Sequence, residues 1–235
     1  MVGLNVGVCH TADEHLVQGT HTLHFVHIAT SEGTGFPEYM YVGMLDDVQI
    51  SYYDSTMEKP VLRTHWSNKT KREEFLKIHT DYIFYGREVR KWGLRNIVQH
   101  FNHTGVHTYH NTGGCELHHD GTRRAYSSHA YDGKDFISID VETMTWIAAV
   151  SQAGLYKQQR EANTAWQLKT SYYYQQVCFQ LLEWCVQYGV GTLQRKGKEQ
   201  SHTVFLLNSA GAAHPEQNLL KTNTSEWLYS DVMLR

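Results

Sequence analysis

No stretch of the 235-residue sequence approaches the ~20 consecutive apolar residues that a membrane-spanning helix needs. Charge of one sign is also missing. Twenty-one Lys and Arg against 24 Asp and Glu leave a formal net charge of -3 with mixed signs along the chain, so no basic stripe can neutralise a phosphate backbone. Nucleic acid is not an expected partner. Residues 1–19 carry His10, Asp13, Glu14 and His15 and lack the apolar run of a secretory signal, so this segment reads as a non-standard leader or a disordered stretch. Cysteine is sparse. Cys9, Cys115, Cys178 and Cys185 have no short paired spacing of the zinc-ribbon kind, which makes a disulfide the first reading and a metal site the weaker one.

Catalytic signatures are absent too. There is no His-Glu-x-x-His run, no Gly-x-Ser-x-Gly elbow, no P-loop and no dinucleotide fingerprint. The sixteen histidines include His118-His119-Asp120 and the series His21, His24, His27. Neighbours on a strand point to opposite faces, so His118 diverges from His119, and His24 from His21 and His27. Nothing places a base beside Cys185 as a nucleophile. No catalytic residue, metal or cofactor is expected.

The remaining sequence is patterned. Across His21 to Thr30, Leu23, Phe25, His27 and Ala29 alternate with Thr22, His24, Val26 and Ile28, which reads as a strand with two occupied faces. Gly33, Gly35 and Pro37 mark a turn; Tyr39 to Leu45, the pair Asp46-Asp47 and Val48 to Tyr53 continue as an antiparallel meander. From Arg72 to Phe101 the period changes: Phe75, Ile78, Tyr82, Tyr85, Val89, Trp92, Ile97 and Phe101 predict a long helix with one apolar stripe. The order then repeats. Extended segments at Val106 to Leu117, Thr122 to Tyr131, Phe136 to Ile139 and Thr143 to Ala148 precede a helical region from Ala153 to Tyr188. Residues 20–104 and 105–196 thus form two similar halves of an α+β domain, whose meanders join into one eight-stranded antiparallel sheet with both long helices on one face. The cleft between the helices is where function is to be sought.

These residues resemble a known family. The run from Gly35 to Ser55, including Tyr39-Met-Tyr-Val-Gly-Met-Leu-Asp-Asp-Val, is similar to the second and third strands of the class I histocompatibility (MHC class I) α1 domain. The stretch from Tyr131 to Asp140, with Thr145-Trp-Ile-Ala-Ala149, resembles the matching strands of α2, and Gly114-Cys-Glu-Leu117, Cys178 and Gly191 to Arg195 extend the pattern. The wording is most like that of non-classical class I molecules of bony fish. The resemblance implies an antigen-recognition platform at the cell surface or outside the cell, serving antigen presentation in immunity. It implies pairing of Cys115 with Cys178, a glycan on the Asn102-His-Thr sequon, and three kinds of partner: a groove ligand, β2-microglobulin, and a T-cell or natural-killer-type receptor. Asn68 and Asn223 also begin sequons.

Family members that hold peptides grip both ends through hydroxyl-bearing and cationic side chains. Transferred by resemblance, the groove positions in this sequence are Phe25, Phe75 and Cys185 with Tyr173 at one end, and His100, Tyr156, Gln159 and Arg160 at the other; His27 lies on the same floor strand. Phenylalanine has no hydroxyl, and each lost charge-assisted bond costs roughly 1.5–3 kcal/mol. An altered peptide clamp, or an apolar or amphipathic ligand such as a lipid with an acidic head, is the expectation. A groove without ligand, acting through its helix surfaces, is the alternative. Residues 197–235 are too few for an immunoglobulin sandwich and read as an atypical tail.

Overall fold

The computed structural model describes residues 19–189. Eight strands form one antiparallel sheet: β1 (His21–Thr30), β2 (Tyr39–Leu45), β3 (Val48–Asp54), β4 (Val61–Leu62), β5 (Thr108–Leu117), β6 (Arg123–Tyr131), β7 (Lys134–Asp140) and β8 (Thr145–Ala148). Their order is β4-β3-β2-β1-β5-β6-β7-β8, two meanders joined where β1 meets β5 along ten registered pairs from His21↔Leu117 to Thr30↔Thr108. The turns follow local chemistry. Asp46-Asp47 and Asp132-Gly133 both take positive φ, the conformation that two-residue hairpins require. The two-residue β4 extends the first meander to four strands.

Alternation on β1 sorts the faces. Phe25, His27 and Ala29 pair with Gly43, Tyr41 and Tyr39 on one side and with Gly113, Asn111 and Tyr109 on the other, and this face receives the helices. Val26 and Ile28 on the opposite face are also buried.

Helix α1 (Lys69–His100) starts where the Asn68 side chain accepts from the Lys71 amide. Its apolar stripe differs from the expected one. The residues buried against the sheet are Phe75, His79, Ile83, Gly86, Gly93, Leu94 and Ile97. Leu94 apart, they fall at spacings of three, four and seven, one residue out of phase with Tyr82, Tyr85 and Val89, which face the second helix region instead. The sheet-facing row uses glycines because backbone and ring approach closely, and the aromatic row makes a wall. The second helical region is divided. A 3₁₀ turn (Ser151–Ala153) leads into α2 (Gly154–Ala162), and the chain restarts at Asn163, whose side chain caps α3 (Thr164–Tyr172) by accepting from the Trp166 amide. A π-helical stretch (Tyr173–Val177) then leads into α4 (Cys178–Tyr188). Cys115 of β5 is bonded to Cys178 of α4, with Cα atoms 6.1 Å apart, so the expected staple joins floor to helix.

Candidate functional site

Between α1 and the α2–α4 segments lies a chamber with about 640 Å³ of empty space, part of it open to solvent. Its floor is Phe25, His27, Tyr41, Ser127, His129 and Trp146; its walls are Tyr82, Tyr85 and Val89 on one side and Arg160, Trp166, Tyr173 and Tyr174 on the other. The chamber is short. Its α1 lining runs from His79 to Arg90, eleven rises or roughly 17 Å of helix. Direct contacts cross between the helices: Tyr82 and Tyr173 rings lie 4.5 Å apart, the Lys169 ammonium sits 3.5 Å from the centre of the Tyr85 ring, and Trp92 meets Trp166 edge to face at 5.8 Å. Beyond the chamber, Asn96 donates to Gln159 at 2.7 Å, and Lys71 lies over Trp184. The groove is therefore bridged along its length.

The polar interior forms one connected set. Arg160 is 1% exposed and donates to the Tyr156 hydroxyl. Tyr156 donates to Tyr109 at 3.2 Å, and the Tyr109 hydroxyl is 2.9 Å from His129 Nδ1. Asn111, in contact with His129 Nε2 at 3.3 Å, accepts from Arg90. Arginines thus stand at both ends of a chain of neutral groups. Burial, followed by the nearby Arg90 and Arg160, holds the His129 pKa well below its ordinary value; burial, then Arg90, does the same for His27, and burial alone brings His79 down to about 4. His79 keeps a bond to Ser51 Oγ at 2.9 Å, and His27 contacts the Tyr39 hydroxyl.

The positions proposed from sequence separate into three groups. Phe25, His27, Arg160 and Tyr173 line the chamber together. His100, Gln159 and Tyr156 line a second, smaller pocket with Asn96 and Phe136, where His100 and Gln159 are exposed. His100 and Gln159 therefore do not line the Arg160 chamber, because Tyr156 and the Asn96–Gln159 bridge intervene. Phe75 packs on Trp66 and His79 in the core, and Cys185 is a buried free thiol whose pKa burial pushes up; neither lines the chamber. Arg90, Trp166 and Lys169 line it without having been singled out in the sequence. Arg90 continues the sheet-facing row 79-83-86-90-93-97 of α1, so a charge on an otherwise buried face was the signal. His24 bonds Tyr126, and His21 pairs with Asp46, which also accepts from the Thr22 amide.

A model of the class I histocompatibility antigen, domains alpha 1 and 2, matches residues 19–193. The chain belongs to the MHC class I family. It is 32% identical over 177 residues to the rat major histocompatibility complex class I-related protein 1, covering 75% of this chain and 52% of that protein. A rat class I histocompatibility antigen, the Non-RT1.A alpha-1 chain, is 31% identical over 80% of this chain and 60% of its own length. The chimpanzee Patr class I histocompatibility antigen, CH28 alpha chain, is 31% identical over 78% and 54% respectively. The chain thus spans about half the length of the curated relatives it matches. Within the MHC class I frame, the sheet and both helix regions have their expected places, and among the described residues no helix is long and apolar enough to cross a membrane.

Proposed function

We propose that this chain is a non-classical MHC class I-like display protein whose groove holds a compact ligand in place of an end-anchored peptide. The carrying observation is the bridged groove. An extended peptide of nine residues spans roughly 30 Å, whereas the α1 lining of the chamber, from His79 to Arg90, is ~17 Å long and is itself crossed by the Tyr82–Tyr173 contact. Loss of the hydroxyls at Phe25 and Phe75 supports the same reading, since neither ring can bond a charged peptide terminus. Display takes place at the cell surface on this reading, with β2-microglobulin beneath the sheet and a T-cell or natural-killer-type receptor above the helices. The exposed Leu155, Leu168 and Tyr172 offer that receptor an apolar surface. No catalytic step is assigned to it.

The test is elution of ligands from the full chain purified from secretory cells, followed by mass spectrometry. Compact non-peptide molecules are expected; a set of peptides of defined length anchored at both ends refutes the reading. A second reading, recognition of the helix surfaces with the groove unoccupied, is favoured by the direct Trp92–Trp166 and Asn96–Gln159 contacts. Receptor binding by protein stripped of every eluted ligand would select it.

A further inference from the structure

A second hollow lies outside the groove, between β6, the end of β7 and the π-helical stretch, and no residue of α1 lines it. It has about 930 Å³ of empty space open to solvent, walled by Ala125, Ile139, Val141, Tyr174, Gln175 and Phe179 among charged residues of both signs. Two features tie this flank pocket to the chamber. Tyr174 lines both spaces, and no other described residue does. The floor also continues beneath that ring. Ala125 of the flank pocket and Ser127 and His129 of the chamber are alternate residues of β6, paired with Cys115, Gly113 and Asn111, so all three share the face that carries the helices. Gly113 makes room where the ring crosses the floor, since a Cβ there would lie 2.7 Å from the Tyr174 hydroxyl.

The wall between the two spaces is the least anchored part of the second helical region. Across 164–177, between the break at Asn163 and the staple at Cys178, Tyr174 and Val177 are buried and α3 buries none of its residues. α4 by contrast buries five and carries the disulfide. Sparse burial marks a segment that opens at low cost, and π-helical turns recur at functional sites. Gln175 supplies a latch: it accepts from Ser171 at 2.9 Å and donates to the Val141 carbonyl at 3.3 Å, which ties the stretch to the chain after β7. From above, the contacts Tyr82–Tyr173, Lys169–Tyr85 and Trp92–Trp166 join two helical regions and stand in a ligand's way. On the flank a single ring has to turn.

From this geometry we infer that the flank pocket is the loading entrance of the chamber, with Tyr174 as its door. A ligand is first taken up against Ala125, Ile139 and Phe179; the Gln175 latch releases, the Tyr174 ring swings aside, and the ligand passes along β6 to the space beneath the helices. This rests on the reading that the chamber holds a ligand, and it adds the route by which the ligand arrives. Because the ring is buried, entry waits on its turning, as passage through a closed lid waits on the lid. Loading and release then share one gate, so whatever loosens the gate speeds both.

The experiment is stopped-flow mixing of the full chain, stripped of ligand, with N-phenyl-1-naphthylamine, a neutral fluorescent probe. Energy transfer from Trp146 and Trp166, which line the chamber, reports arrival there. The uptake rate should level off as the probe concentration rises, because opening precedes entry. Gln175→Ala should raise uptake and release together by three-fold or more and leave the affinity within two-fold, whereas a residue that merely shaped the chamber would change the affinity. Tyr174→Ala should remove the plateau; if that variant does not fold, Gln175→Ala decides alone. Trp92→Ala, which removes a contact above the groove without touching the chamber, should leave both rates within two-fold. Faster exchange in Trp92→Ala with none in Gln175→Ala means entry from above and overturns the inference while the display reading stands. No uptake of the probe overturns it as well, and the display reading is then decided separately, by elution.

Discussion

A Cβ placed on Gly86 of α1 would come within 2.9 Å of the His27 ring, so helix and floor meet here at a separation that only glycine permits. The Tyr39 hydroxyl stands 3.1 Å from the same point. Gly86→Ala gains roughly 1 kcal/mol in helix propensity but must displace a buried ring, at a cost of about 1–3 kcal/mol. A net loss is expected, seen as a thermal midpoint a few degrees lower. A midpoint equal to or above that of the unsubstituted chain would show that His27 yields freely.

The Cys115–Cys178 bond closes a loop of 63 residues. In the chain-entropy model such a loop is worth roughly 4 kcal/mol. Denaturation in urea with and without reductant should therefore differ by that order. An unchanged midpoint under full reduction would assign the anchoring of α4 to packing alone.

Stability should depend on pH through three buried histidines. His27, His79 and His129 all have folded pKa values depressed by burial, His79 to about 4, against 6.5 in the unfolded chain. The unfolded state therefore binds more protons below pH 6.5. Their contribution is fully present above that value and drains as the pH falls from 6.5 toward 4, by up to ~1.4 kcal/mol per unit for each histidine. Thermal midpoints recorded from pH 7.5 to 5 should fall, and His79→Gln should flatten the slope. A flat profile in the unsubstituted chain contradicts the assignment.

Replacing Arg160 with Met should not destabilise the unliganded fold. Even a buried ion pair exchanged for apolar side chains of similar size is commonly neutral or stabilising by about 1–4 kcal/mol. Arg160 lacks partners for two of its nitrogens, so little is lost when its charge is removed. A strong loss of stability in calorimetry would make Arg160 a structural residue.

Asn102 follows α1 with φ 52°, and its side chain is exposed. Expression through a secretory route should add one glycan there, removed in Asn102→Gln and read as a single mass step. Asn68 is already occupied as the α1 cap, so modification there would compete with its bond to Lys71.

Much of the architecture was legible because each meander alternates strongly and its turns carry Asp-Asp or Asp-Gly. The β1 limits His21 and Thr30 could be read directly from that alternation. β4 could not, since Val61-Leu62 is too short to show a period. The break at Asn163 and the π-helical stretch at Tyr173–Val177 were hidden inside one apolar repeat. For the groove, resemblance located Phe25, Tyr173 and Arg160, but counting apolar residues alone concealed Arg90. The phase of the α1 stripe depended on His79, Gly86 and Gly93, none of which scores as strongly apolar.

The ladder between β1 and β5 has a further consequence. Each meander ends at this seam, so either half made alone would present a long unpaired edge ready to recruit another strand. The two halves therefore form a single cooperative unit. A cut between them at Gly105 would create two adhesive fragments, whose recombination should require that they be synthesised and trapped together.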